Sequence, residues 1–176
     1  MKKSSIIVRV TALLLMLALM CVSLTGCDAI DAMKESFLAK ETVLTKDAIS
    51  VEDFMRVAAE KGLQCQDATD QITGNDSITS VTIAFPENTP YQIDFYVFTE
   101  QEYARGFYAD YKYRFEMLRE RYHSGTSAYG MNYSRYKTVS NSRYAVISFI
   151  ENTVVMVYCD EAKKDEVDDF LKAIDY

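Results

Sequence analysis

An α+β domain, with a mainly antiparallel sheet of about five to six strands packed on two to three helices, is the fold class this sequence predicts. Three observations predict it. Apolar and polar residues alternate over Ile78 to Phe85 and again around Ile93, Phe95 and Val97, the period of a strand with one buried face. Three more strand candidates, Tyr133 to Ser140, Tyr144 to Ile150 and Thr153 to Cys159, follow one another with only Asn141-Ser142 and Glu151-Asn152 between them. Apolar side chains recur at three- and four-residue steps in the segments holding Phe54, Phe107 and Phe170.

Taken in order, the first helix spans about Val51 to Lys61. Ser50 is its N-cap, Ile49 and Phe54 stand at the positions of a hydrophobic staple, and Gly62 supplies the stop. Leu63 to Gln66 is a short strand, and the polar stretch Asp67 to Ser77, with Gly74-Asn75-Asp76, is a loop. The two alternating strands form a hairpin around Pro86 to Pro90. Thr99-Glu100-Gln101-Glu102 is a capping box, with Phe98 and Tyr103 placed to staple a helix that runs to about Tyr122. Its core stripe is Ala104, Phe107, Tyr108, Tyr111, Phe115, Leu118 and Tyr122; Arg105, Lys112, Arg119 and Glu120 face water, with Asp110–Arg114 and Lys112–Glu116 as i to i+4 pairs. His123 to Asn132 reads as a flexible loop. The unbroken run Val154 to Tyr158 marks a mid-sheet strand, and a closing helix buries Val167, Phe170, Leu171 and Ile174.

Ahead of this body, Lys2 and Lys3 precede an apolar run from Val10 to Leu24 that ends in Leu24-Thr25-Gly26-Cys27. The segment resembles the lipobox signal of bacterial lipoproteins. The resemblance implies cleavage between Gly26 and Cys27, acylation of the Cys27 thiol, and a protein held at the outer face of the cytoplasmic membrane, or at an outer membrane where the cell has one. The alternative is an uncleaved signal anchor, but about 15 apolar residues fall short of the roughly 20 that a spanning helix needs. The expected organisation is a signal peptide over 1–26, a lipidated tether with a short helix over 27–47, and one α+β domain over 48–176. The aromatic helix after the hairpin and the Asn152-Thr153 turn loosely resemble small uncharacterised domains of bacterial lipoproteins, which implies no activity.

Removal of residues 1–26 takes three of the 19 basic residues and none of the 26 acidic ones, leaving a net charge of −10. Such a balance argues against general nucleic-acid binding. With Cys21 removed and Cys27 acylated, Cys65 and Cys159 are left as a candidate disulfide, worth about 4 to 5 kcal/mol if formed, or as two buried free thiols.

Tyrosine is the compositional anomaly: 13 residues, all from Tyr91 onward, with no tryptophan. Glu100 to Arg143 holds eight of them with eight basic and five acidic residues, a local charge of +3. Tyr113, Arg114, Tyr129, Tyr133, Arg135, Tyr136 and Arg143 form a candidate binding face able to stack on sugars or grip an anionic polymer; the alternative is that most of these tyrosines are amphipathic core residues. His123 is the single histidine, so a nucleophilic triad would depend on it with Ser124 or Ser127, and the local sequence does not build one. No catalytic set, metal site or cofactor is predicted. The expected function is a non-enzymatic envelope module that binds a protein or polymer, with no oligomeric state implied; a small hydrolase of cell-wall material and a subunit of a transport or signalling assembly are the alternatives.

Overall fold

The computed structural model describes residues 45–176 apart from positions 73, 89 and 119–124. The signal segment, Cys27, most of the tether, His123 and the expected helix end at Tyr122 therefore lie outside the described residues. The α-helices and strands among the described residues are α1 (Val51–Glu60), β1 (Gln64–Asp67), β2 (Ile78–Phe85), β3 (Ile93–Phe98), α2 (Gln101–Met117), β4 (Gly125–Tyr129), β5 (Tyr133–Ser140), β6 (Arg143–Ile150), β7 (Thr153–Asp160) and α3 (Lys164–Ala173). The strands form one antiparallel sheet in the order β1-β2-β3-β7-β6-β5-β4. This is the predicted α+β class with one strand more than expected.

The additional strand is β4, which lies inside the stretch expected to be a loop. Its residues Gly-Thr-Ser-Ala-Tyr have no alternation to announce them, and the pairing of Gly125 with Thr138 through Tyr129 with Ser134 makes them a strand. Partner rather than propensity decided the conformation. The mid-sheet expectation for the Val154–Tyr158 run holds, since β7 lies between β3 and β6.

Helices cover both faces. On one side Phe54, Val57 and Ala58 of α1 and Val167, Phe170 and Leu171 of α3 pack on Ile93, Phe95, Val146 and Val157. On the other, Ala104, Tyr108 and Phe115 of α2 pack on Tyr96, Ile147, Phe149 and Val154. The expectation of a single buried face for the β2–β3 hairpin is thereby corrected. Residues 93 to 96 of β3 are all buried, because α2 returns over the face that alternation had assigned to water.

Helix starts show which local signals prevailed. The Ser50 Oγ accepts from the Asp53 N–H at 3.1 Å, and Ile49 packs against the cluster that holds Phe54. The Thr99 capping box does not form: the N-cap of α2 is Glu100, and the Thr99 N–H donates instead to the Ser77 carbonyl at 2.8 Å. Leu118, expected in the core stripe, is the C-cap and is 59% exposed. Lys46, expected in the tether, is fastened to the body: its N–H donates to Asn132 Oδ1 at 3.0 Å, and Asn132 Nδ2 donates back to the Lys46 carbonyl at 2.7 Å. Among the described residues, no helix is long and apolar enough to cross a membrane.

Candidate functional site

The seven residues of the candidate binding face do not come together. Strand alternation separates them, because successive side chains point to opposite faces. Tyr133 and Arg135 lie on the α1/α3 side, where the Lys46 ammonium sits 5.6 Å from the Tyr133 ring centre and Arg135 donates to the Tyr176 main-chain oxygen at 2.8 Å. Tyr129, Tyr136 and Arg143 project from the α2 side. Tyr129 is 80% exposed, whereas Tyr136 is 2% exposed beneath Lys112. Tyr113 and Arg114 stand on the outer surface of α2, with Arg114 held to Asp110 at 2.8 Å. The single face is corrected to three locations, and Tyr136 belongs to the core.

The disulfide alternative is also corrected. Cys65 pairs across the sheet with Ala84, Ala84 with Ile93, and Ile93 with Val157, so Cys65 and Cys159 stand three strand spacings apart. That is about 14 Å, twice the roughly 7 Å beyond which a disulfide cannot close without backbone movement. Both are free thiols, and burial pushes the Cys159 thiol up to about 11.

A polar cluster is centred on Asp168 of α3. Its carboxylate accepts from Lys137, from the Tyr144 hydroxyl at 2.5 Å and from Lys164 at 3.2 Å. These groups line a cavity of about 330 Å3 with Thr126 and Val139. Burial by itself would push the Asp168 carboxyl up, but the three donors outweigh it and hold it below the usual range. Its bond to Asp168 raises Lys164. An ionised acid held between two lysines gives a polar wall with one positive charge in excess, poorly suited to moving protons. A second cavity, about 300 Å3 with Tyr91, Glu166 and Asp169, is similar: the bond from Tyr91 lowers Glu166 and that from Lys61 lowers Asp169.

Asp94 is the opposite case. It is buried in β3 between Ile83 and Met156, with Gln92 Nε2 at 2.6 Å, and burial raises its carboxyl. Its place in an alternating strand hid it from sequence reasoning, which put it on the wet face. Among the described residues no group of three His, Cys, Asp or Glu side chains is positioned to hold a metal ion.

A third constellation surrounds the β5–β6 turn on the α2 side of the sheet. Thr138, Ser140, Arg143, Ala145 and Tyr158 share that face, and Phe115 of α2 and its C-cap Leu118 border them. The Tyr158 ring stacks on Phe115 at 6.2 Å and 16°, and the Arg143 guanidinium lies 5.9 Å from the Tyr158 ring centre. Among the described residues, the buried hydroxyls of Thr138 and Tyr136 have no hydrogen-bond partner. Of the candidate-face residues, Arg143 alone lines this pocket.

No family model matches the chain, and no curated protein matches it. A solved structure described as a GTP binding regulator from Thermotoga maritima is similar at 18% identity, with a TM-score of 0.43, over 74% of this chain and 87% of that one. A likeness this distant bears on neither activity nor ligand.

Proposed function

We propose that the chain is a lipid-anchored extracytoplasmic binding module, non-enzymatic, held to the membrane through acylated Cys27 and capturing an envelope protein or polymer. The ordered signal Lys2-Lys3, apolar Val10 to Leu24 and Leu24-Thr25-Gly26-Cys27 supports the anchor. One structural observation carries the binding half. Of the nine large apolar side chains exposed among the described residues, six fall within Glu100 to Arg143: Tyr103, Tyr113, Met117, Leu118, Tyr129 and Met131. That segment carries a net charge of +3 in an otherwise acidic protein. Exposed apolar groups concentrated on α2, its C-cap and the β4 end of the sheet offer a surface to a protein or polymer partner.

The test is palmitate labelling and crosslinking in native membranes, comparing wild type with Cys27→Ala and with Tyr113→Ser/Met117→Ser. Acyl label and membrane sedimentation should vanish in C27A. The captured species should vanish in the double variant, whose two surface changes each alter stability by no more than about 0.5 kcal/mol. A wild type carrying no acyl label sinks the anchor, and unchanged capture by the double variant sinks the surface.

A further inference from the structure

We infer that the pocket at the β5–β6 turn binds a small carboxylate, held by the Arg143 guanidinium and the Thr138 hydroxyl. This names a ligand class for the binding module proposed above and rests on that reading.

Two independent observations converge on the pocket. The first is Thr138: the residue is 5% exposed, and its hydroxyl has no partner among the described residues. A buried hydroxyl without a hydrogen bond is unfavourable, so a ligand atom or an ordered water is expected to meet it. The second is the charge and shape of the lining. Among the described residues that bound the pocket Arg143 is the one that carries a charge, and Phe115, Leu118 and Ala145 form apolar walls. Asp160, opposite Arg143 in the ladder, has its carboxylate accepting the Ala162 N–H at 3.0 Å.

Size and charge select the ligand. The pocket holds about 70 Å3. That is more than the roughly 30 Å3 share of one water and less than the roughly 150 Å3 that admits benzene, the size of a two- to three-carbon acid. A carboxylate brings one negative charge and two acceptor oxygens, one for the guanidinium and one for the Thr138 hydroxyl. A phosphate dianion would leave excess charge against the apolar walls. The same chemistry comes from two sources, a free short-chain acid or the carboxyl end of a peptide.

Titration calorimetry on the full chain in detergent separates them, using propionate, N-acetylated dialanine with a free carboxyl, and the same dipeptide as its carboxyl amide. The free-carboxyl dipeptide should bind and its amide should not. Binding of propionate as well shows that the carboxylate suffices; binding of the dipeptide alone shows that a peptide end is recognised. Arg143→Gln and Thr138→Val should each weaken binding about tenfold or more. Thr138→Val keeps the side-chain shape, so it also guards against loss of fold. Equal binding of acid and amide, binding of neither carboxylate, or full affinity in both variants overturns the site. Should membrane capture persist in any of those cases, the wider binding reading survives; loss of capture with carboxylate binding intact sinks that reading alone.

Discussion

Asp168 and Asp94 are both inward-facing carboxylates with opposite consequences for stability. Asp168 is held ionised by Lys137, Tyr144 and Lys164, so its folded carboxyl lies below its unfolded value. Its contribution is present above the unfolded value, about 3.9, and is lost as pH falls through the folded value. Asp168→Ala should lower stability at pH 7 by about 2 to 3 kcal/mol, because the hydroxyl of Tyr144, a residue that is 1% exposed, loses its carboxylate partner; urea denaturation measures the loss. Asp94 runs the other way. Burial raises its folded carboxyl, so the native state binds the proton more tightly than the unfolded chain. Stability from this group is greatest below the unfolded value and declines as pH rises towards and through the folded one. Asp94→Asn removes the decline, and its gain over wild type in urea should be larger at pH 7 than at pH 4. A gain that is equal at both values would show that Asp94 is not the titrating group.

At the scale of elements, two glycines separate a packing constraint from a propensity. Gly125 opens β4 directly against Tyr136, and a Cβ there would run into the Tyr136 ring and hydroxyl. Gly125→Ala should cost about 1 to 3 kcal/mol through overpacking. Gly106 lies inside α2 with open space where its Cβ would stand. Gly106→Ala should stabilise by up to about 1 kcal/mol. Opposite shifts in the urea midpoints test both at once, and a neutral Gly125→Ala would show that β4 does not rest on Tyr136 as described. The contrast explains why β4 was illegible in the sequence. Its glycine and small polar residues look like a loop, and only their fit over Tyr136 and their pairing with β5 make a strand of them. The β5–β6 turn was legible only in length. Asn141 and Ser142 adopt φ of 52° and 59°, the conformation of a two-residue hairpin turn, without the glycine that ordinarily announces it.

Across the whole molecule, the sheet order β1-β2-β3-β7 keeps Cys65 and Cys159 apart. Unreduced protein in denaturant should therefore titrate two thiols from these positions. In the native state Cys65 should react first, since Cys159 is buried and its thiol is pushed up to about 11. A denatured, unreduced protein with no reactive thiol would contradict the topology. The same order dispersed the seven-residue binding face. Tyr133, Arg135, Tyr136 and Arg143 are close in sequence, but alternation sends the first two to the α1/α3 side and the last two to the α2 side. Proximity along a strand is no guide to a shared surface.

The local sequence by itself determined where most elements lie, as well as the order of residues that supports a lipid anchor. Side-chain periodicity, N-caps and export signals are short-range properties, complete within a few turns or one strand. Tertiary structure decided which wet-looking faces are dry, why β4 exists, where the tyrosines stand, that the cysteines stay apart, and that Thr138 meets Arg143 at a pocket. Each of these depends on which strand lies beside which and where α2 returns across the sheet, relations that no local pattern encodes.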